Sequence, residues 1–63
     1  MKLWIARDLD GELYLYPSKP RKGDYRFVCG YVYEDYINLN GDEFPEVTFE
    51  NSPVQVELKL INL

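Results

Sequence analysis

The stretch that most constrains this chain is Leu3-Trp4-Ile5-Ala6-Arg7, then Asp8-Leu9-Asp10-Gly11, then Glu12-Leu13-Tyr14-Leu15-Tyr16. Apolar residues recur at every second position on both arms, the period of a half-buried strand. An Asp-Gly pair between two such runs is a strong local signal for a β-hairpin. Side-chain parity then chooses the loop length. A two-residue loop at Asp10-Gly11 sets Ile5 opposite Tyr16 and splits the leucine-type rows between two faces. A three-residue loop, Leu9-Asp10-Gly11, sets Asp8 opposite Glu12, Ala6 opposite Tyr14 and Trp4 opposite Tyr16. That register gathers Leu3, Ile5, Leu13 and Leu15 on one face, and a slip of one residue would turn every side chain over. Its turn chemistry also fits, with Asp8 accepting local backbone hydrogen bonds at the first position of a type I turn and Gly11 left-handed in the following bulge.

Sixty-three residues make a single small β domain, 1–63, in the size range where folding buries only about 60% of the unfolded chain's surface. The usual reinforcements of so small a fold are missing. One cysteine, Cys29, forms no internal disulfide, and with no histidine a structural zinc site is not expected. The core must therefore be aliphatic and aromatic, or be completed by a second copy; six tyrosines and 16% aromatic content suit this. A net charge of −4 works against direct binding to nucleic acid or an anionic membrane surface. No stretch approaches the roughly 20 apolar residues of a membrane span, and Met1-Lys2 leads into no signal-like apolar run. A cytoplasmic location is the expectation.

Beyond the hairpin, Pro17-Ser18-Lys19-Pro20-Arg21-Lys22-Gly23-Asp24 reads as a loop, its prolines lacking ladder donors. The run from Tyr25 to Tyr33 is the most β-prone in the chain, with Gly30 marking a bulge or bend, and Glu34-Asp35 turns into a short strand over Tyr36–Leu39. Asn38-Leu39-Asn40-Gly41-Asp42 repeats the turn chemistry of residues 8–12. The stretch 42–47 predicts one short helical turn, with acids at its start. Asn51-Ser52-Pro53 then turns into a final strand in which Val54, Val56, Leu58 and Leu60 alternate with polar residues. The whole predicts an all-β protein: a small antiparallel meander of four to five strands, as an open twisted sheet or a small SH3-like barrel, with one helical turn near 42–47.

Two stretches carry a resemblance. Met1-Lys2-Leu3-Trp4-Ile5-Ala6-Arg7-Asp8 with Asp10-Gly11-Glu12-Leu13-Tyr14-Leu15-Tyr16 is one, and Phe44-Pro45-Glu46-Val47-Thr48-Phe49-Glu50-Asn51-Ser52-Pro53 with Val56-Glu57-Leu58 is the other. They resemble a group of short proteins encoded in bacterial, phage and prophage genomes. The resemblance spans about half of the chain and leaves Pro17 to Asp35 unmatched. It brings no activity, ligand or site residue, only a context: an intracellular accessory protein, with phage derivation among its sources.

The chemistry-bearing residue types give little. Asp8, Asp10 and Glu12 form an Asp-x-Asp-x-Glu pattern of oxygen ligands, but the calcium-loop spacing and its late bidentate glutamate are missing, so they read as turn residues and no metal is expected. Cys29 lies in an apolar run with no histidine to act as its base, which makes it a core residue rather than a nucleophile. Glu34 and Asp35, as neighbours, point to opposite faces of a strand. Lys19, Arg21 and Lys22 read as a solvated loop. No catalytic residue, cofactor or phosphate-binding loop emerges, and the chain does not read as an enzyme.

The remaining candidate is the aromatic side of the hairpin. Trp4, Tyr14 and Tyr16 lie opposite the leucine face and form a candidate partner-binding face. Cover by Phe44, Val47 and Phe49 is the leading reading; a homodimer and a protein or ligand partner are the others. Function therefore narrows to a small protein-binding accessory factor, with an acidic inhibitor that occupies a nucleic-acid-binding groove of another protein as the alternative. That alternative requires the acids to cluster on one surface.

Overall fold

The computed structural model describes residues 2–28 and 36–58. Its elements are six strands: β1 (Lys2–Arg7), β2 (Leu13–Tyr16), β3 (Arg21–Lys22), β4 (Phe27–Val28), β5 (Ile37–Leu39) and β6 (Val54–Glu57). Four form an antiparallel sheet in the order β5-β2-β1-β6, and β3 pairs with β4 in a separate two-stranded ribbon. The fold is all-β, and no helix long and apolar enough to cross a membrane occurs among the described residues.

The β1–β2 hairpin has the register that parity demands, with Trp4 opposite Tyr16, Ala6 opposite Tyr14 and Ile5 opposite Leu15. Its loop closes through Gly11 N–H to the Asp8 carbonyl at 3.0 Å and Asp8 N–H to the Glu12 carbonyl at 2.8 Å. Gly11 sits at φ +96°, a conformation that side chains with a Cβ rarely adopt. One detail differs from expectation. The local side-chain acceptor is Asp10, whose Oδ1 takes the Glu12 N–H at 2.9 Å, while Asp8 reaches out of the turn altogether. Asn40 repeats the Asp10 role by accepting the Asp42 N–H at 2.9 Å.

Strand order is not sequential. The last strand returns to pair with the first, Leu3 opposite Val56 and Ile5 opposite Val54, while β5 extends the other edge, Leu15 opposite Ile37 and Leu13 opposite Leu39. Each strand alternates, so these pairings build cross-sheet rows on one face: Ile37-Leu15-Ile5-Val54, then Leu39-Leu13-Arg7, then Leu3-Val56. Among the described residues β5 and β6 are the two edges and do not meet, so the described sheet is open.

Two sequence expectations are corrected. Residues 21–22, expected within a loop, form β3 against β4, and the strand expected from Tyr25 begins only at Phe27, because Asp24 to Arg26 bend to close that ribbon. The remainder of that run, with Cys29, Gly30, Glu34 and Asp35, lies outside the described residues. The helical turn near 42–47 is replaced by successive backbone turns, Glu43 N–H to the Asn40 carbonyl and Val47 N–H to the Phe44 carbonyl. Phe44 at φ +50° accounts for the difference, since a left-handed residue interrupts a right-handed helix at once.

The core has two parts, one on each side of the sheet. Ile5, Leu13 and Val47 are buried on the leucine side, with Leu15, Leu39, Val54 and Val56 packed around them. Ala6, Tyr16 and Phe27 are buried on the aromatic side, with Trp4, Tyr14 and Phe49 around them. The ribbon and the 40–52 segment thus cover opposite faces of the same sheet at different places.

Candidate binding surface

Trp4, Tyr14 and Tyr16 do lie on one face, but their own chain occupies it. Tyr16 is 3% exposed and belongs to the core. Its ring lies 6.3 Å from Tyr14 and 5.8 Å from Tyr36, and Tyr36 meets Tyr14 edge-on at 5.4 Å. Trp4 is half-buried beneath Lys19, whose Nζ stands 5.3 Å from the ring centre. The cover differs from the expected set. Phe49 contributes, stacked edge-on with Phe27 at 5.8 Å, whereas Val47 packs on the leucine side and Phe44 is exposed. Phe27 and Tyr36 supply the rest.

Lys22 lies over Phe49 at 4.5 Å and reaches the Glu50 carbonyl, so two of the three cations expected in a solvated loop rest on aromatic rings. Such contacts are worth about 0.5–1 kcal/mol at exposed sites. They add to the packing of the ribbon on the sheet.

Arg7 is the residue that sequence reasoning missed. It stands on the leucine face in register with Leu3 and Ile5, a position where a charge needs partners. Its guanidinium donates five hydrogen bonds, all to backbone carbonyls: Nε to Val47 at 2.6 Å, Nη1 to Gly11 at 2.8 Å and Gly41 at 3.0 Å, and Nη2 to Glu43 at 3.0 Å and Phe44 at 3.2 Å. An arginine side chain has five N–H groups, so the fork is saturated. It ties the 8–12 turn to the 40–47 segment, and its own backbone N–H is held by the Ser52 hydroxyl at 3.0 Å. Ser52 in turn bonds the Thr48 carbonyl through both its N–H and its hydroxyl. A charge at a core-facing strand position was the available signal. Its partners, 34 to 40 residues away for four of these bonds, had no local sign.

The outer side of the same turn meets the tip of the ribbon. Asp8 Oδ1 accepts the Phe27 N–H at 2.8 Å, and Leu9 N–H donates to the Tyr25 carbonyl at 2.8 Å. Burial pushes the Asp8 carboxyl above its ordinary value, against the Phe27 N–H and the nearby Arg26, which favour the ionised form; Asp10 and Glu12 add to the upward shift. Between turn and ribbon lies an open depression of about 460 Å³, lined by Asp8, Leu9, Asp10, Tyr14, Tyr25 and Arg26. Two of its rim residues are large and apolar yet well exposed, Tyr25 at 72% and Leu9 at 54%. Tyr36, also exposed, continues the surface through its contact with Tyr14.

The chemistry of this surface is recognition rather than reaction. Asp8, Asp10 and Glu12 do not converge: Asp8 holds Phe27, Asp10 holds its own turn, and Glu12 accepts from the Asn38 amide at 3.2 Å. No group of three metal-capable side chains forms among the described residues. Every buried side-chain nitrogen and oxygen among them has a partner, so no polar group is left aimed into the depression. No protein-family model, curated protein or solved structure matches this chain.

Proposed function

We propose that this chain is a small protein-binding accessory factor rather than an enzyme, working in the cytoplasm, with the phage-related context that its resemblance suggests. The observation that carries the reading is the exposed pair Leu9 and Tyr25 on the rim of the 460 Å³ depression. The Leu9 N–H to Tyr25 carbonyl bond holds their backbones together, so the aromatic ring is offered from a fixed position. Tyrosines of this kind are enriched where interfaces gain most of their energy, because a large amphipathic ring buries much area and loses little freedom. Asp10 and Arg26 beside it supply charges of both signs for orientation.

The test is affinity capture from bacterial lysate with the wild-type chain and with Tyr25→Ser and Leu9→Ser, both exposed and remote from the buried clusters. The reading expects a protein retained by the wild type and lost from both variants. Capture that both variants leave intact, or none by the wild type, overturns it.

A second reading, an acidic inhibitor of a nucleic-acid-binding protein, has a specific observation in its favour. The Arg7 bonds gather the two segments that carry Asp10, Glu12, Asp42, Glu43 and Glu46 at one end of the sheet, all exposed. Its signature is a partner released by added salt and lost on Asp42→Asn with Glu46→Gln, but indifferent to Tyr25→Ser.

A further inference from the structure

The leucine side of the sheet is covered only in part. Val47 and the 40–52 segment lie over the Leu13, Ile5 and Arg7 end. Toward the other end, Leu3, Leu15, Val54 and Val56 are half-buried and Ile37 is 58% exposed. These five lie in adjoining registered rows across all four strands, so they form one surface rather than scattered apolar residues. We infer that this open half-face is where a second copy of the chain docks, face to face, as the two layers of a β-sandwich.

Charge is the first argument for that occupant. The chain carries −4, yet the described strand positions on this face bear no charge except Arg7, whose five N–H groups are already bound to the chain's own carbonyls. Two identical copies meet here without bringing like charges together, and the face offers nothing to a charged partner. The acids fix the orientation. A two-fold axis in the interface and perpendicular to the strands overlaps the open ends and sends the acidic ends, with Asp42, Glu43 and Glu46, to opposite extremes. An axis parallel to the strands would set those acids, and the two 40–52 segments, side by side.

Area sets the strength. Four strands about 4.8 Å apart and two rows about 6.8 Å apart make a patch of roughly 19 by 14 Å, near 270 Å² in plan. That approaches the size at which an exposed apolar patch on a monomer calls for a partner, and it is well below the about 800 Å² per side of a standard interface. The dimer is therefore weak and reversible, with Kd between about 10 µM and 1 mM. This is the usual recourse of a chain too short to cover its own sheet twice.

Sedimentation equilibrium of the full chain from about 10 µM to 1 mM, bracketing that Kd range, tests it. The wild type is expected to shift reversibly from monomer to dimer. Ile37→Glu and Val56→Glu each weaken the association at least tenfold with an unchanged far-ultraviolet circular dichroism spectrum, and Tyr25→Ser leaves it intact. The Tyr25 control separates this inference from the proposed partner surface, which lies on the other side of the sheet. A wild type that stays monomeric throughout overturns the inference, and so does a dimer that both face variants leave as tight as before.

Discussion

Replacing Arg7 with Met keeps an unbranched side chain of similar reach and removes all five guanidinium donors. Charge-assisted hydrogen bonds contribute about 1.5–3 kcal/mol each where water is excluded and less where it competes. The Nε bond to Val47, short at 2.6 Å and partly buried, belongs to the first group, and the four Nη bonds are exposed. Taking about 2 kcal/mol for the first and about 0.5 kcal/mol for each of the others gives a loss near 4 kcal/mol. A return of water to the freed carbonyls trims this to roughly 3 kcal/mol. A chain of this length has about 3–9 kcal/mol in all, so the variant stands at the edge of folding. Arg7→Lys keeps the charge, but its single nitrogen cannot span five carbonyls laid out for a planar fork, and about half of the loss remains.

Urea unfolding followed by Trp4 fluorescence reads this out. With a slope near 1 kcal/mol/M, the Met variant lowers the midpoint by about 2–3 M and the Lys variant by about half that. Amide exchange adds the local picture, with Val47 and Ser52 losing protection before the β1–β2 ladder does. A Met variant within about 0.5 kcal/mol of the wild type refutes the view that the fork holds this end together. Equal stability of Lys and Arg refutes the narrower claim that its planar geometry matters.

Three other substitutions have definite signs. Asp8→Asn keeps an oxygen for the Phe27 N–H while removing a carboxylate that burial disfavours. Because the folded-state pKa is raised, the folded protein holds its proton more readily than the unfolded chain. The wild type thus loses stability as pH rises from the ordinary carboxylate value through the raised one, and the Asn variant gains on it between about pH 3 and pH 7 in paired urea titrations; a gap that stays constant or closes contradicts this. Gly23→Ala places a Cβ 2.8 Å from the Arg26 carbonyl oxygen at the closing bond of the ribbon. It is expected to cost about 1–2 kcal/mol and to weaken capture at the Tyr25 surface, and full stability in thermal unfolding would contradict the contact. Phe44→Asn replaces an exposed aromatic at φ +50° with the residue most tolerant of that region, and is expected to match or exceed the wild-type midpoint by up to about 1 kcal/mol.

What was legible in the sequence was what neighbouring residues decide among themselves. The β1–β2 register followed from parity and one glycine, because Leu3, Ile5, Leu13 and Leu15 share a face only with a three-residue loop. The final strand was legible for the same reason. Its return to pair with β1 was not, since any strand with one apolar face satisfies the same alternation at several places in a sheet. Nor did Lys22 signal a ribbon, because Phe49, the ring under its amine, lies far along the chain.

Arg7 and the aromatic row show why the candidate site was harder to read than the fold. The hairpin is apolar on both sides, so two covers were needed, and sequence order suggested that the 44–49 segment lies over the aromatic side. Arg7 decides otherwise. Its side chain emerges on the leucine face, and its fork can be saturated only if the carbonyls of Gly41, Glu43, Phe44 and Val47 come to that side. Val47 therefore caps Ile5 and Leu13, Phe49 crosses to Phe27, and the aromatic row is closed by the ribbon and Tyr36. Two consequences follow from that one charge: the face proposed for partners moves from Trp4 and Tyr16 outward to Leu9 and Tyr25, and the surface left in want of cover is the leucine end around Ile37.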